Sequence, residues 1–190
     1  YPEFLVALAK LGQQGATRLI LDLRGNHGGF VQPAIRMAYE FLPGNRMVFY
    51  MQGRHSPREN FISDGRGAHQ STPLIVLVDE QTASASEIFA GSMQDNDRAL
   101  IVGRRSFGKG LVQESVEFRD GSMLRLTIAR YYMPSGRCVQ KPYTPGNLEE
   151  YEMDFINRIK SGELESADSI KEHGKKFHTR LGRTVYGENG

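Results

Sequence analysis

Hydrophobic positions along the chain alternate between short β-branched runs and segments with helical spacing. Residues 2–14 carry apolar side chains at helical intervals, and a second helix is predicted after Pro33. Short apolar runs predict buried strands at 18–23, 46–51, 73–78 and 99–103. This alternation of strands and helices predicts an α/β fold, in which layers of helices cover parallel strands.

The second half of the chain has a different pattern. Two longer strands are predicted at 112–118 and 122–132, and the turn signal between them is typical of a hairpin. An amphipathic helix is predicted from Leu148 to near Gly162, and the charged stretch 161–180 predicts a loop or partly ordered segment. The chain therefore divides into a core at 1–145 and, at 146–190, a C-terminal helix with a charged, partly ordered tail.

A serine lies where the strand at 73–78 gives way to a helix. Beyond Ser84 the apolar residues fall at Ala85, Ile88, Phe89 and Met93, which is helical spacing. A hydroxyl at that position is close to the positive end of the helix dipole, which favours a developing oxyanion. Ser84 and Glu87 also fit the capping box S-x-x-E, so a purely structural role as helix cap stays open.

A lysine could activate this serine. Lys109 stands between Gly108 and Gly110, 25 residues after Ser84. A lysine acts as a general base only where desolvation lowers its pKa, and a lone lysine between glycines is more often a solvated loop residue. Gln113, four residues further on, is expected on the same side, where a neutral amide could orient the amine without adding charge.

The segment 24–29 contains three glycines after a predicted strand. Such a turn suits positive φ angles and exposed main-chain amides. An ordinary strand-to-helix turn and a phosphate cradle remain alternatives, although neither the Walker nor the G-x-G-x-x-G spacing is present.

Composition narrows the remaining functions. The 190 residues carry a formal charge of +2 and no basic run with interleaved aromatics, so no nucleic-acid partner is predicted. No apolar run is long enough for a membrane span. The single cysteine, Cys138, excludes an internal disulfide, and no histidine pair has metal-ligand spacing. We therefore predict no metal and no cofactor.

Three blocks, at 22–29, 82–88 and 107–110, together resemble the tail-specific, or C-terminal processing, serine peptidases. Their order and spacing match as well, and the likeness covers most of residues 16–145.

The resemblance implies a role for each matching residue. Ser84 would be the nucleophile, Lys109 the general base and Gln113 the residue that orients the lysine. The amides of Ala85 and Gly29 would form the oxyanion hole. Asp95 matches a carboxylate that affects activity less directly.

The same resemblance implies a ClpP/crotonase-like ββα superhelix core with an added β-hairpin and C-terminal helix. It implies polypeptide substrates bound in extended form, and a place in the bacterial periplasm or cell envelope. The chain is expected to be a fragment that lacks the preceding strand and the PDZ domain of full-length relatives. Whether it is active alone, and whether it forms a homo-oligomer, is left open.

Two other functions occur on this fold. Interphotoreceptor retinoid-binding proteins use it as a non-catalytic ligand-binding module, and crotonase-type enzymes use it for acyl-CoA chemistry. Because Ser84 and Lys109 are both present, the sequence favours a serine endopeptidase that cuts polypeptides near their C-termini.

Overall fold

The computed structural model describes residues 1–144, 146–166, 174–188 and 190, and it confirms the mixed α/β character. The helices are α1 (Pro2–Gln13), α2 (Val31–Phe41), α3 (Ala85–Asp95) and α4 (Leu148–Lys160). The strands are β1 (Leu19–Asp22), β2 (Met47–Gln52), β3 (Glu59–Ile62), β4 (Leu74–Val78), β5 (Leu100–Gly103), β6 (Leu111–Glu117), β7 (Met123–Tyr132), β8 (Lys176–His178) and β9 (Thr184–Tyr186).

A three-stranded parallel sheet brings the three sequence blocks together. Its order is β1-β4-β5, with Ile20 beside Ile75 and Ile75 beside Leu100. Because the strands are parallel, their carboxyl ends lie at one edge of the sheet, which is where α/β proteins usually place their sites. The segments that leave this edge are the glycine-rich turn, the turn before α3 and the loop that carries Lys109.

A second, antiparallel sheet has the order β3-β2-β7-β6. β6 pairs along its whole length with residues 123–130 of β7 around the turn at 119–121, as the sequence signal predicts. β6 is an outer strand of this sheet, and most of its side chains are exposed. One edge of β6 is therefore unpaired within the described residues.

Helix α3 lies at the centre of the core. Nearly every side chain from Ala85 to Asp95 is buried, because α3 packs against α2 on one side and against strands β2 and β5 on others. Phe89 meets Phe41 edge to face, with ring centroids 6.0 Å apart. Burial of each such aromatic side chain contributes roughly 1.5–3 kcal/mol. The Ser84 turn is thus attached to a helix that is buried along almost its whole length.

The prediction of a loop over 161–180 is wrong at Lys176–His178, which form β8 and pair antiparallel with β9. Asp97 explains the local order, because its carboxylate accepts hydrogen bonds from Thr179 Oγ1 at 3.0 Å and from the Leu181 amide at 2.6 Å. The part of that prediction at 167–173 falls outside the described residues. Further along, the Glu188 amide donates to the Cys138 carbonyl at 2.7 Å, which joins this segment to the core.

Candidate active site

Ser84 occupies the turn between β4 and α3 in a strained backbone conformation. Its φ is 56° and its ψ is −120°, a region that costs a residue other than glycine about 1–3 kcal/mol. The turn is held on both sides: the Ser84 amide donates to Glu87 Oε2 at 2.8 Å, and the Ala83 amide donates to the Asn26 carbonyl at 3.0 Å. Ser84 is therefore fixed at the N-terminus of α3, as expected for a nucleophile on a tight turn.

The glycine-rich turn lies directly against the Ser84 turn. A Cβ atom at Gly28, where φ is +86°, would lie 2.5 Å from the Ala83 carbonyl oxygen and 2.8 Å from the Ala85 nitrogen. Asn26 joins the two turns, since its Oδ1 accepts hydrogen bonds from the Gly28 amide and from Ser86 Oγ, both at 2.9 Å. Only glycine permits this approach at position 28.

The two predicted oxyanion donors lie on these adjoining segments. Neither the Ala85 amide nor the Gly29 amide donates a hydrogen bond within the described part of the chain. A Cβ atom at Gly29 would meet nothing within 4 Å, so this residue faces open space. The N–H groups of both amides are thus without an acceptor among the described residues.

The carboxylate of Glu87 connects the Ser84 turn to the Lys109 loop. Its Oε1 accepts hydrogen bonds from Ser106 Oγ at 2.6 Å and from the Gly108 amide at 2.7 Å. Its Oε2 accepts from the amides of Ser84 and Lys109, each at 2.8 Å. Four donors converge on this side chain, of which only 2% is exposed. The main chain of the two predicted catalytic residues is therefore fixed by one buried group.

Burial raises the pKa of the Glu87 carboxyl, and the four hydrogen bonds oppose that shift only in part. The sequence pattern identifies Glu87 as a helix-capping residue but gives no sign of its contacts with Ser106, Gly108 and Lys109. A glutamate at the third helical position after a candidate nucleophile is the signal that could have found it.

The Lys109 loop is also attached directly to the Ser84 turn. The Phe107 amide donates to the Thr82 carbonyl at 2.9 Å. The Lys109 side chain is partly buried, and its amine hydrogen-bonds to no described residue.

Two of the predicted site residues make no hydrogen bond to Ser84 or Lys109. Gln113 is exposed on β6, where its amide donates weakly to Thr127 Oγ1 at 3.4 Å, and no hydrogen bond joins it to Lys109. Asp95 ends α3, about 16 Å from Ser84 at 1.5 Å per helical residue. It is buried and pairs with Arg137 at 3.0 Å. The roles of Gln113 and Asp95 remain predictions.

Neither a metal cluster nor a membrane span is found in the part of the chain that the structure describes. There, no group of three or more histidine, cysteine, aspartate or glutamate side chains could hold a metal ion. None of the helices at these positions is long and apolar enough to cross a bilayer.

Comparison with known proteins shows to which family the chain belongs. The family described as Peptidase family S41 matches residues 1–148 of this chain. The chain belongs to peptidase family S41. This S41 family includes bacterial and chloroplastic processing proteases.

Two S41 relatives and one solved structure show how far the likeness extends. The carboxyl-terminal-processing protease of Synechocystis sp. is 45% identical over 141 residues, covering 74% of this chain and 33% of the relative. The chloroplastic carboxyl-terminal-processing peptidase 1 of Arabidopsis thaliana is 40% identical over 174 residues, covering 92% of this chain and 33% of the relative. The solved structure of the photosystem II D1 C-terminal processing protease matches with a TM-score of 0.65 and 38% identity, over 70% of this chain and 34% of that one. The chain spans about a third of the length of these relatives.

Proposed function

We propose that this S41 chain carries the catalytic core of a serine endopeptidase that cleaves polypeptides near their C-termini by a Ser-Lys mechanism. The observation that supports this most is the shared hydrogen-bond acceptor, Glu87, which binds the main chain of both Ser84 and Lys109. The relatives named above are C-terminal processing proteases, which supports the same substrate class.

The reaction proceeds in two steps. Ser84 Oγ attacks the scissile carbonyl while the deprotonated Lys109 amine takes the hydroxyl proton, and this proton passes to the leaving amine as the peptide bond breaks. Water then attacks the acyl-enzyme, Lys109 takes a proton from the water, and Ser84 recovers its proton as the new carboxyl product leaves. The amides of Ala85 and Gly29 hold the oxyanion in both steps. Each such donor typically contributes about 3 kcal/mol to lowering the barrier.

The remaining proposed residues act through Lys109 and the fold. Gln113 would orient the Lys109 amine when substrate is bound, which requires its side chain to leave Thr127. Asp95 would support activity indirectly, since its ion pair with Arg137 holds the far end of α3.

The substrate is proposed to bind as an extended strand. Backbone pairing with an exposed strand edge recognises polypeptides without requiring a particular sequence. The unpaired edge of β6, which follows the Lys109 loop, offers such a partner.

The finer fold assignment is also part of the proposal, namely a ClpP/crotonase-like ββα superhelix with an added hairpin and C-terminal helix. The core would span 1–145 and the C-terminal part 146–190. The whole protein would act in the bacterial periplasm or cell envelope, and a homo-oligomer is compatible with it.

Turnover of an unstructured protein by the full-length protein tests the function. Labelled casein should be cleaved by the unsubstituted protein, and Ser84→Ala and Lys109→Ala should each abolish cleavage while the thermal unfolding midpoint stays within a few degrees. Cleavage by Lys109→Ala at the unsubstituted rate would refute the mechanism. Binding of an apolar ligand without any turnover would instead indicate the non-catalytic ligand-binding module.

A further inference from the structure

Helix α4 contacts the Lys109 loop through one buried arginine. Arg158 Nη2 donates to the Arg105 carbonyl at 2.6 Å, and Arg158 Nη1 donates to the Ser106 carbonyl at 3.1 Å. Only 4% of Arg158 is exposed. The rigid fork of a guanidinium allows Arg158 to hold two successive carbonyls and the Glu163 carboxylate at once through three separate nitrogens, whereas a lysine offers only one nitrogen.

The charge of Arg158 is balanced by a carboxylate from the turn that follows α4. Arg158 Nε donates to Glu163 Oε1 at 2.9 Å. Glu163 also binds the Arg105 guanidinium, with both contacts at 2.8 Å. Arg105, at the start of the Lys109 loop, is thus held both by its main-chain carbonyl and by its guanidinium. A buried charge is tolerated only where its partners are this well placed.

The loop is therefore held by two different helices. Glu87 binds Ser106 Oγ from the side of the Ser84 helix, while Arg158 binds the carbonyl of the same residue from the side of α4. Three residues later comes Lys109, whose amide is bound by Glu87. A displacement of Ser106 would consequently move Lys109 relative to Ser84.

A second contact between α4 and the loop reinforces the first. Phe107 packs edge to face against Tyr151, with ring centroids 6.3 Å apart. The buried amine of Lys141 lies 4.4 Å from the Phe107 ring centroid and 4.0 Å from that of Tyr151.

We propose that Arg158 is a positioning residue for the peptidase reaction, holding the main chain of the 105–109 loop so that Lys109 reaches Ser84. The proposal rests on the proposed function. Arg158 makes no hydrogen bond to Ser84, and it acts through the position of Lys109. The contact of α4 with the 105–109 loop is therefore required for catalysis as well as for stability.

Two substitutions in the full-length protein test this role. Arg158→Met keeps much of the side-chain volume but removes all its donors. Arg158→Lys keeps the charge opposite Glu163 but replaces the three nitrogens that bind Glu163 and the two carbonyls with one. Both variants should lower kcat on labelled casein by about 10- to 100-fold, because small misplacements of a catalytic group have effects of that size. KM should change by less than about threefold, since substrate contacts are intact.

Arg98→Met is the matched control. Arg98 also donates to main-chain carbonyls, those of Phe41, His69 and Thr72, but it does not hydrogen-bond the Lys109 loop. This variant should lose thermal stability and keep the kcat of its folded fraction.

The double variant Lys109→Ala with Arg158→Met separates positioning from a general loss of structure. Its rate of Ser84 labelling by a fluorophosphonate should equal that of Lys109→Ala alone, because the effect of Arg158 passes through the lysine. Unsubstituted kcat in folded Arg158→Met and Arg158→Lys would overturn the proposal, as would a further loss in the double variant. If Lys109→Ala itself were fully active, the proposed function would fail first and the role of Arg158 with it.

Discussion

The main-chain amides of Ser84 and Lys109 donate to the same carboxylate oxygen of Glu87, each at 2.8 Å. Their nitrogens therefore lie within twice that distance of each other. Because the acceptor is a buried carboxylate, this relationship is stronger than a contact between two surface loops. The backbone is thus arranged for a nucleophile and a base before any substrate binds.

Glu87→Gln should disable the site with little change in side-chain shape. The new amide group would point an N–H₂ at two of the four donors that now bind the carboxylate, leaving them unsatisfied. We expect kcat to fall about 100-fold or more and the free energy of unfolding to fall by about 1–3 kcal/mol. Steady-state kinetics and urea unfolding measure the two effects.

Glu80→Gln is the control for that substitution. Glu80 is a nearby glutamate whose carboxylate pairs with Arg104 at 2.6 Å. Its loss should leave kcat unchanged within about threefold, because its carboxylate binds Arg104 and neither Ser84 nor Lys109. Equal kinetics for Glu87→Gln and Glu80→Gln would argue against the role given to Glu87.

Gly28→Ala should damage the site through the backbone. The added methyl group would collide with the Ala83 carbonyl, and the positive φ would cost about 1–3 kcal/mol more. We expect at least about 100-fold loss of kcat as the Ser84 turn is displaced. Gly12→Ala, which places its methyl group in open space on α1, should be fully active. Normal turnover by Gly28→Ala would mean that the close approach is not needed.

Asp95→Ala should affect stability more than chemistry. It leaves the buried Arg137 guanidinium without its carboxylate, and breaking a buried pair costs about 3–5 kcal/mol. The kcat of the fraction that remains folded should fall by less than about tenfold, because Asp95 is far from Ser84. A loss of kcat as large as that of Lys109→Ala, at unchanged stability, would instead give Asp95 a direct role.

Acid should weaken the attachment of the segment after β8. Burial alone would raise the pKa of Asp97, but hydrogen bonds from Leu181, Arg183 and Thr179 outweigh it, and the pKa falls below its ordinary value of 3.8. The stability contributed by this carboxylate is therefore complete above pH 3.8 and is lost as the pH falls through the lowered pKa.

Asp97→Asn tests this predicted dependence of stability on pH. Asparagine is chosen because it tolerates the positive φ of 53° at this position. Its urea unfolding midpoint should be lower than that of the unsubstituted chain at pH 7, and the difference should narrow towards pH 2. A difference that is constant with pH would show that the charge of Asp97 is not what matters.

The sequence predicted the parts of the site that depend on local order. Strand-to-helix alternation was enough to predict parallel strands, and it placed Ser84 between a strand and a helix and the glycine-rich turn after a strand. Contacts between distant residues were not predictable in this way. From the sequence, Glu87 is predicted only as a helix cap, because its other hydrogen-bond donors lie about twenty residues away. Arg158 contacts the loop from a helix some fifty residues further along the chain.

Two other differences between the sequence predictions and the structure also have physical reasons. β8 was missed because its short, charged sequence has no strand pattern of its own, and the buried carboxylate of Asp97 orders the turn that follows it. Spacing placed Gln113 on the same side as Lys109, yet spacing cannot show that the β6 strand leaves its amide beside Thr127.

Mapping a covalent adduct tests the central claim most directly. The full-length protein is treated with a fluorophosphonate, digested and examined by peptide mass spectrometry, beside the Lys109→Met variant. We predict a single adduct on Ser84 in the unsubstituted protein and labelling at least about 100-fold slower in Lys109→Met. An adduct on another residue, or equal labelling rates in the two proteins, would contradict a nucleophile at Ser84 activated by Lys109.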